Sequence, residues 1–204
     1  MNGTNLPDDL EEFLNNVPQT EAHEFEVDLR CLVTINHKIT MDGIEREENE
    51  AISSLESSPD FDDLIQSEIR HQRIFYDGLR IAARLLTVVA LVTRLHHWAI
   101  AYAKRLDTAR EPGGLEKELS CLTCKFGQGR IGMKFFLDLA EIRNSVIHQD
   151  SQPKWEYKGH HSVALCYAPT GWRLEFSEEQ LADAIEKAIL QVTWFDKKLQ
   201  AIGK

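Results

Sequence analysis

Across residues 60–107 the sequence keeps a helical rhythm with no proline to interrupt it, and that run commits the chain to a mainly α architecture. Leu64, Ile65, Ile69, Ile74 and Phe75 set the apolar spacing, which carries on to Leu106. Asp60 stands at the N-cap position, and Gly78 is where a bend is expected. "REPGG" (residues 110–114) stops the run with a proline and two glycines.

Shorter elements are read on either side of it. Residues 1–18, with Pro7 and Pro18, are expected to be loop with a short helix. Residues 20–57 place Phe25, Leu29, Leu32, Val33, Ile35, Ile39 and Ile44 near helical spacing and end in "ESSPD". A helix over 115–125 leads into "FGQGRIG", and a helix over about 131–149 follows. The period then changes. "HSVALCY" and "WRLEF" flank "APTG", the pattern of a β-hairpin with a four-residue turn. Ser177 and Gln180 in "SEEQ" predict a capping box that opens a last helix over 178–201. There is no internal repeat and no low-complexity tract. The expected organisation is one domain over 1–204. It comprises an acidic helical segment (1–58), a helical core (60–150), a small β-hairpin (160–176) inserted before the C-terminal helix, and that helix (177–204).

Composition narrows the function classes. A hydrophobic content of 43% and a charged content of 27% are those of a soluble globular chain. The most apolar stretch, "LLTVVALVT" (residues 85–93), is bracketed by Arg84 and Arg94 and is far shorter than the ~20 residues a membrane span needs. The acidic start "MNGTNLPDDLEEF" has no basic region followed by an apolar one, so no signal peptide is expected. A cytoplasmic location with four reduced thiols and no membrane partner follows from these readings. The net charge of −10 is uneven: residues 1–60 hold fifteen carboxylates against Arg30, Lys38 and Arg46, whereas the rest holds eighteen acids and twenty bases. The repulsion of polyanions is thus confined to the first third. That segment is read as a solvated acidic helix, or as one that shields a polyanion site elsewhere.

The segment "LDLAEIRNSVIHQD" (residues 137–150) breaks its own pattern. At ~100° per residue, Phe135, Leu139, Ile142 and Val146 form one stripe, with Phe136, Ala140 and Ile147 widening it. Asp138, Glu141, Ser145 and His148 make the polar face. Arg143 falls inside the apolar arc, where an unpaired guanidinium is costly. Three answers suit it: a position at the core edge, a buried carboxylate partner, or a cleft that holds an anion. His148 lies in the last turn, where the helix dipole favours an imidazolium. A cation beside a titratable histidine meets the needs of phosphodiester cleavage without metal. The histidine moves protons, and the arginine neutralises charge developing on the phosphorus oxygens.

"EIRNSVIH" resembles the signature of the HEPN superfamily: an arginine, a polar residue, and a histidine after four to six intervening positions. Arg143, Asn144 and His148 fit its four-residue form, and the layout of residues 60–150 agrees. The resemblance implies an all-α, HEPN-like helical bundle and a metal-independent endoribonuclease. It implies no cofactor, a homodimer through the motif helix, and a cleft formed between the two copies. It further implies a toxin or anti-phage defence role, with an antitoxin or defence-system protein as possible partner. Arg143, Asn144 and His148 would be catalytic. Asp150 departs from the branch with a nucleotidyltransferase antitoxin, where a tyrosine stands two residues after the histidine. Arg30 and His37 in "RCLVTINH" match the same expression with six residues between, but Cys31 follows the arginine and the surroundings are strongly acidic. The reading from a different class is a catalytically silent HEPN-like module that binds a partner through the same face.

Other signals are weaker. Arg130 and Lys134 beside the motif helix, and Arg80 and Arg84 on the long one, are candidate RNA contacts, the alternative being a solvated basic face. Arg73 shares that face, and Arg94, Lys104 and Arg105 lie further along. "CLTC" holds Cys121 and Cys124, but no second pair has zinc-finger spacing, so structural thiols are expected and no metal. "GQGRIG" fits a dinucleotide fingerprint by letter but follows a helix rather than a strand. His96 and His97 are read as core-edge residues. Trp155 and Tyr157 are read as packing residues, with base stacking as the alternative.

Overall fold

The computed structural model describes residues 21–57, 62–148, 164–168, 171–175 and 177–203. The segment before residue 20, the Asp60 cap, Asp150, Trp155 and Tyr157 lie outside the described residues. The chain is mainly helical: α1 (Glu21–Cys31), a π-helical stretch (Leu32–Lys38), α2 (Ile39–Glu56), α3 (Asp62–Leu106), α4 (Leu115–Phe126), α5 (Met133–His148) and α6 (Glu178–Ala201). Between α5 and α6, β1 (Ala164–Ala168) pairs antiparallel with β2 (Gly171–Glu175), from Ala164 opposite Glu175 to Ala168 opposite Gly171. Among the described residues no helix is long and apolar enough to cross a membrane.

The long helix α3 behaves as two halves. From Leu85 onward, Val88, Leu91, Val92, Leu95, Trp98, Ala99 and Tyr102 are buried, a spacing of three and four that turns one face into the core. Against it lie Leu119 and Leu122 of α4, Phe136, Leu139 and Ile142 of α5, and a row on α6 from Leu181 to Leu199. In the first half only Ile69, Tyr76 and Ala83 are buried, whereas Leu64, Ile74 and Phe75 are exposed. That half meets α2 through Arg80 and Glu48, and α2 has no buried residue of its own. The helix runs unbroken through Gly78.

The run over 20–57 keeps its helical character but not one continuous buried face. Phe25 and Leu29 of α1 are core residues, whereas Ile35 and Ile39 are exposed. The π turns between α1 and α2 are wider than α turns, and they shift the phase of everything downstream. The start of α6 follows the capping chemistry closely. The Ser177 hydroxyl accepts from the Gln180 N–H, and the Gln180 side chain accepts from the Ser177 N–H.

The glycine-rich loop before α5 has a structural purpose. Gln191 of α6, 2% exposed, accepts from the Ile131 N–H at 3.0 Å and donates to the Gln128 carbonyl at 3.1 Å. Gly129, at φ +74°, lies so close to the Gln191 amide that a side chain there would collide with it. The loop is a clamp that fixes where the motif helix begins.

Candidate active site

Helix α5 packs against both α3 and α4, so its buried arc is wider than one apolar stripe. Phe136, Leu139 and Ile142 are buried, and so are Asp138 and Ser145, which the helical projection places on the polar face. Ile147 is 48% exposed instead of joining the core.

Arg143 is half-buried at the edge of this contact and lines a cleft of about 390 Å³. Its Nη1 donates to Asn144 Oδ1 at 3.0 Å, and its buried Nε has no hydrogen-bond partner among the described residues. Among the described residues no carboxylate lies within ion-pair distance of it. Arg143 thus stands at the core edge, with a cleft beside it. Asn144 shares the lining, together with Leu137, Ala140 and Glu141 from the same side of α5. His148 ends the helix one turn beyond Asn144, and its side chain lies outside the described residues.

The facing wall comes from α3 and the start of α4. Thr93, His96 and His97 line it from α3, and Gly114, Leu115 and Glu116 from the first turn of α4. His96 Nε2 lies 2.8 Å from the Gly113 carbonyl. A carbonyl can only accept, so Nε2 carries a proton, and in the neutral form of the ring Nδ1 is the acceptor. The Gly113 loop is itself held. Its N–H donates to Oε1 of Glu118, a carboxylate only 1% exposed, at 2.6 Å. Glu118 Oε2 in turn accepts from Arg110 Nε at 3.1 Å.

These two histidines were expected at the core edge, and the structure adds that the edge is the wall of the Arg143 cleft. One signal was present in the sequence. His96 is four residues after Val92 and three before Ala99, so it takes a slot on the apolar ladder, as Arg143 does on α5. That the two misfits face each other required the packing of α3 on α5.

The remaining candidates are not gathered here. Arg80 pairs with Glu48 and with Asp77, and the hydrogen bond it donates to Glu48 holds its guanidinium above the ordinary arginine pKa. Arg84 reaches Glu178 at 3.4 Å, and Arg94 reaches Asp28 at 3.2 Å. Arg130 and Lys134, by contrast, are exposed at the entry to α5. Cys121 is half-buried and Cys124 exposed on α4, and no group of three metal-ligating side chains occurs among the described residues.

The second arginine–histidine pair has a different fate. Arg30 bonds Glu26 at 2.8 Å and approaches Glu186 at 3.7 Å. His37, 7% exposed, points its Nδ1 at Thr87 Oγ1 (3.1 Å) and its Nε2 at Glu178 Oε2 (2.8 Å). Each is absorbed into a separate structural contact. Comparison of the chain with protein-family models, curated proteins and solved structures finds no match.

Proposed function

We propose that this protein is a metal-independent endoribonuclease of HEPN type, with Arg143, Asn144 and His148 as its catalytic residues. The observation that carries the reading is the placing of Arg143 and Asn144 together on the wall of a cleft that also holds two imidazoles. A guanidinium that lines a cleft and has no carboxylate partner among the described residues is suited to meet a phosphate, because an anion there would supply its counter-charge. Asn144 holds the arginine's other arm in place through Nη1. In this reading the ribose 2′-oxygen attacks the adjacent phosphorus and His148 handles a proton. Arg143 stabilises charge on the phosphorus oxygens, and the products are a 2′,3′-cyclic phosphate and a 5′-hydroxyl.

The finer parts of the proposal go with the family resemblance. The helical body is a HEPN-like bundle carrying a small hairpin ahead of the last helix. Two copies pair through α5, for which Ile147 offers exposed apolar surface beside the motif. The protein works in the cytoplasm as a toxin or anti-phage effector, with an antitoxin or defence-system partner to restrain or trigger it. Exposed Ile147 also supports a second reading, a silent module that uses this end of α5 to bind another protein.

The test is cleavage of RNA by purified protein in EDTA, beside inducible expression of wild type, Arg143→Ala and His148→Ala with growth and RNA integrity scored. Loss of both toxicity and cleavage in the two variants is the expected result. Cleavage by His148→Ala at the wild-type rate would reject the mechanism, and a wild type that leaves RNA intact would favour the silent module.

A further inference from the structure

We infer that His96 is the general base of this site, taking the 2′-hydroxyl proton while Arg143 holds the phosphate across the same cleft. The inference rests on the ribonuclease reading above and adds to it a group from a different helix.

Three observations converge. His96 lines the same cleft as Arg143 and Asn144, so a phosphodiester lodged against the guanidinium shares the cleft with the imidazole. The ring is held in one tautomer, since Nε2 donates to the Gly113 carbonyl and Nδ1 is left as the basic nitrogen. The Gly113 loop is held in turn by buried Glu118, which accepts from the Gly113 N–H and from Arg110. A general base is oriented in this way, with one ring nitrogen tied to an acceptor in a rigid loop and the other left for the substrate. His97, on the neighbouring exposed position, has no such anchor among the described residues.

The step balances. The 2′-O–H proton passes to His96 Nδ1 as the 2′-oxygen forms its bond to phosphorus. The bond from phosphorus to the 5′-oxygen breaks, and that oxygen takes a proton from the His148 imidazolium. Water returns both histidines to their starting states. Glu116 and Glu141, also on the cleft wall, remain as repelling charges that the substrate must pass.

The discriminating variant is His96→Gln, whose amide keeps a donor for the Gly113 carbonyl but offers no base. It should keep the thermal midpoint and KM of wild type, while kcat falls about 10²–10⁴-fold, the range for loss of a general base. His96→Ala should lose kcat equally and the midpoint as well. Should His96→Gln fold poorly, the wild-type protein still decides the matter. The His96 ring signals in an NMR titration with a 2′-deoxy dinucleotide should shift, and should fail to shift in Arg143→Ala. A His96→Gln enzyme with wild-type kcat, or a ring that ignores the dinucleotide, overturns this inference while leaving the ribonuclease reading in place. Wild-type protein that leaves RNA intact overturns both.

Discussion

Two regions of this molecule carry an arginine and a histidine within the spacing of the motif, Arg30 with His37 (six residues between) and Arg143 with His148 (four). The first lies where α1 passes into the π-helical stretch, and there each side chain finds a partner within the fold. Arg30 lies against Glu26 and Glu186, and His37 is threaded between Thr87 and Glu178. The second ends α5. There Arg143 touches Asn144 and faces a cleft instead of a carboxylate among the described residues. What separates a motif from its look-alike is where the guanidinium finds its counter-charge. An arginine already neutralised by the protein has little left to offer a phosphate, because a new anion must first displace the old one.

The largest effect that tests this contrast is on activity. Arg143→Ala should lower RNA cleavage in EDTA by about 10²–10³-fold, the usual cost of removing one transition-state donor. Arg30→Ala should cleave at the wild-type rate. Equal losses in the two variants would mean that the local counter-charge does not distinguish the sites.

Next comes stability, where the order reverses. His37 is buried with hydrogen bonds at both ring nitrogens, and its removal leaves Thr87 and Glu178 without that partner. His37→Ala should cost about 1–3 kcal/mol in a urea unfolding midpoint, with cleavage unchanged for the folded fraction. A variant as stable as wild type would show that the ring is not a structural clamp.

These contrasts also show how far the sequence could be read. The helical periods, the breakers at residues 110–114 and the capping box of Ser177 with Gln180 are local patterns, and each reappears in the fold. Arg143 stood out because it occupies an apolar slot, which a helix projection exposes without any tertiary knowledge. The fate of Arg30 and His37 was not legible in that way. Glu178 lies 141 residues from His37 in sequence, and only the packing of α6 beside the π segment brings them together. The partnership of His96 with the Arg143 cleft was hidden for the same reason, as was the exposure of Ile74 and Phe75. Periodicity tells which side of a helix is apolar, not what lies opposite.

The basic residues extend the contrast to RNA binding. Arg80 and Arg84 are engaged by Glu48, Asp77 and Glu178, whereas Arg130 and Lys134 are exposed beside the start of α5. Neutralising Arg130 or Lys134 should each reduce the slope of log affinity against log salt by about 1, as expected for one phosphate contact. Arg80→Ala should leave the slope unaltered. A fall in slope for Arg80→Ala would mean that RNA outcompetes Glu48.

The smallest effect bears on why Arg30 is silent. Glu26 precedes Arg30 by one helical turn, the favourable order for an acid and a base, and Arg30 is 41% exposed. A double-mutant cycle on the two should therefore give a coupling of only about 0.3–0.5 kcal/mol, most of it gone in 1 M NaCl because exposed charges are screened within ~3 Å at that ionic strength. So weak a pair still suffices, since Glu186 stands on the other side of the guanidinium and a bound phosphate would meet two carboxylates at once. A cycle with no coupling, together with tighter binding of a dinucleotide in a Glu26→Gln, Glu186→Gln variant than in wild type at the Arg143 cleft, would make Arg30 the stronger anion site. The difference between the two regions would then lie in the surrounding charge and not in the architecture of the cleft.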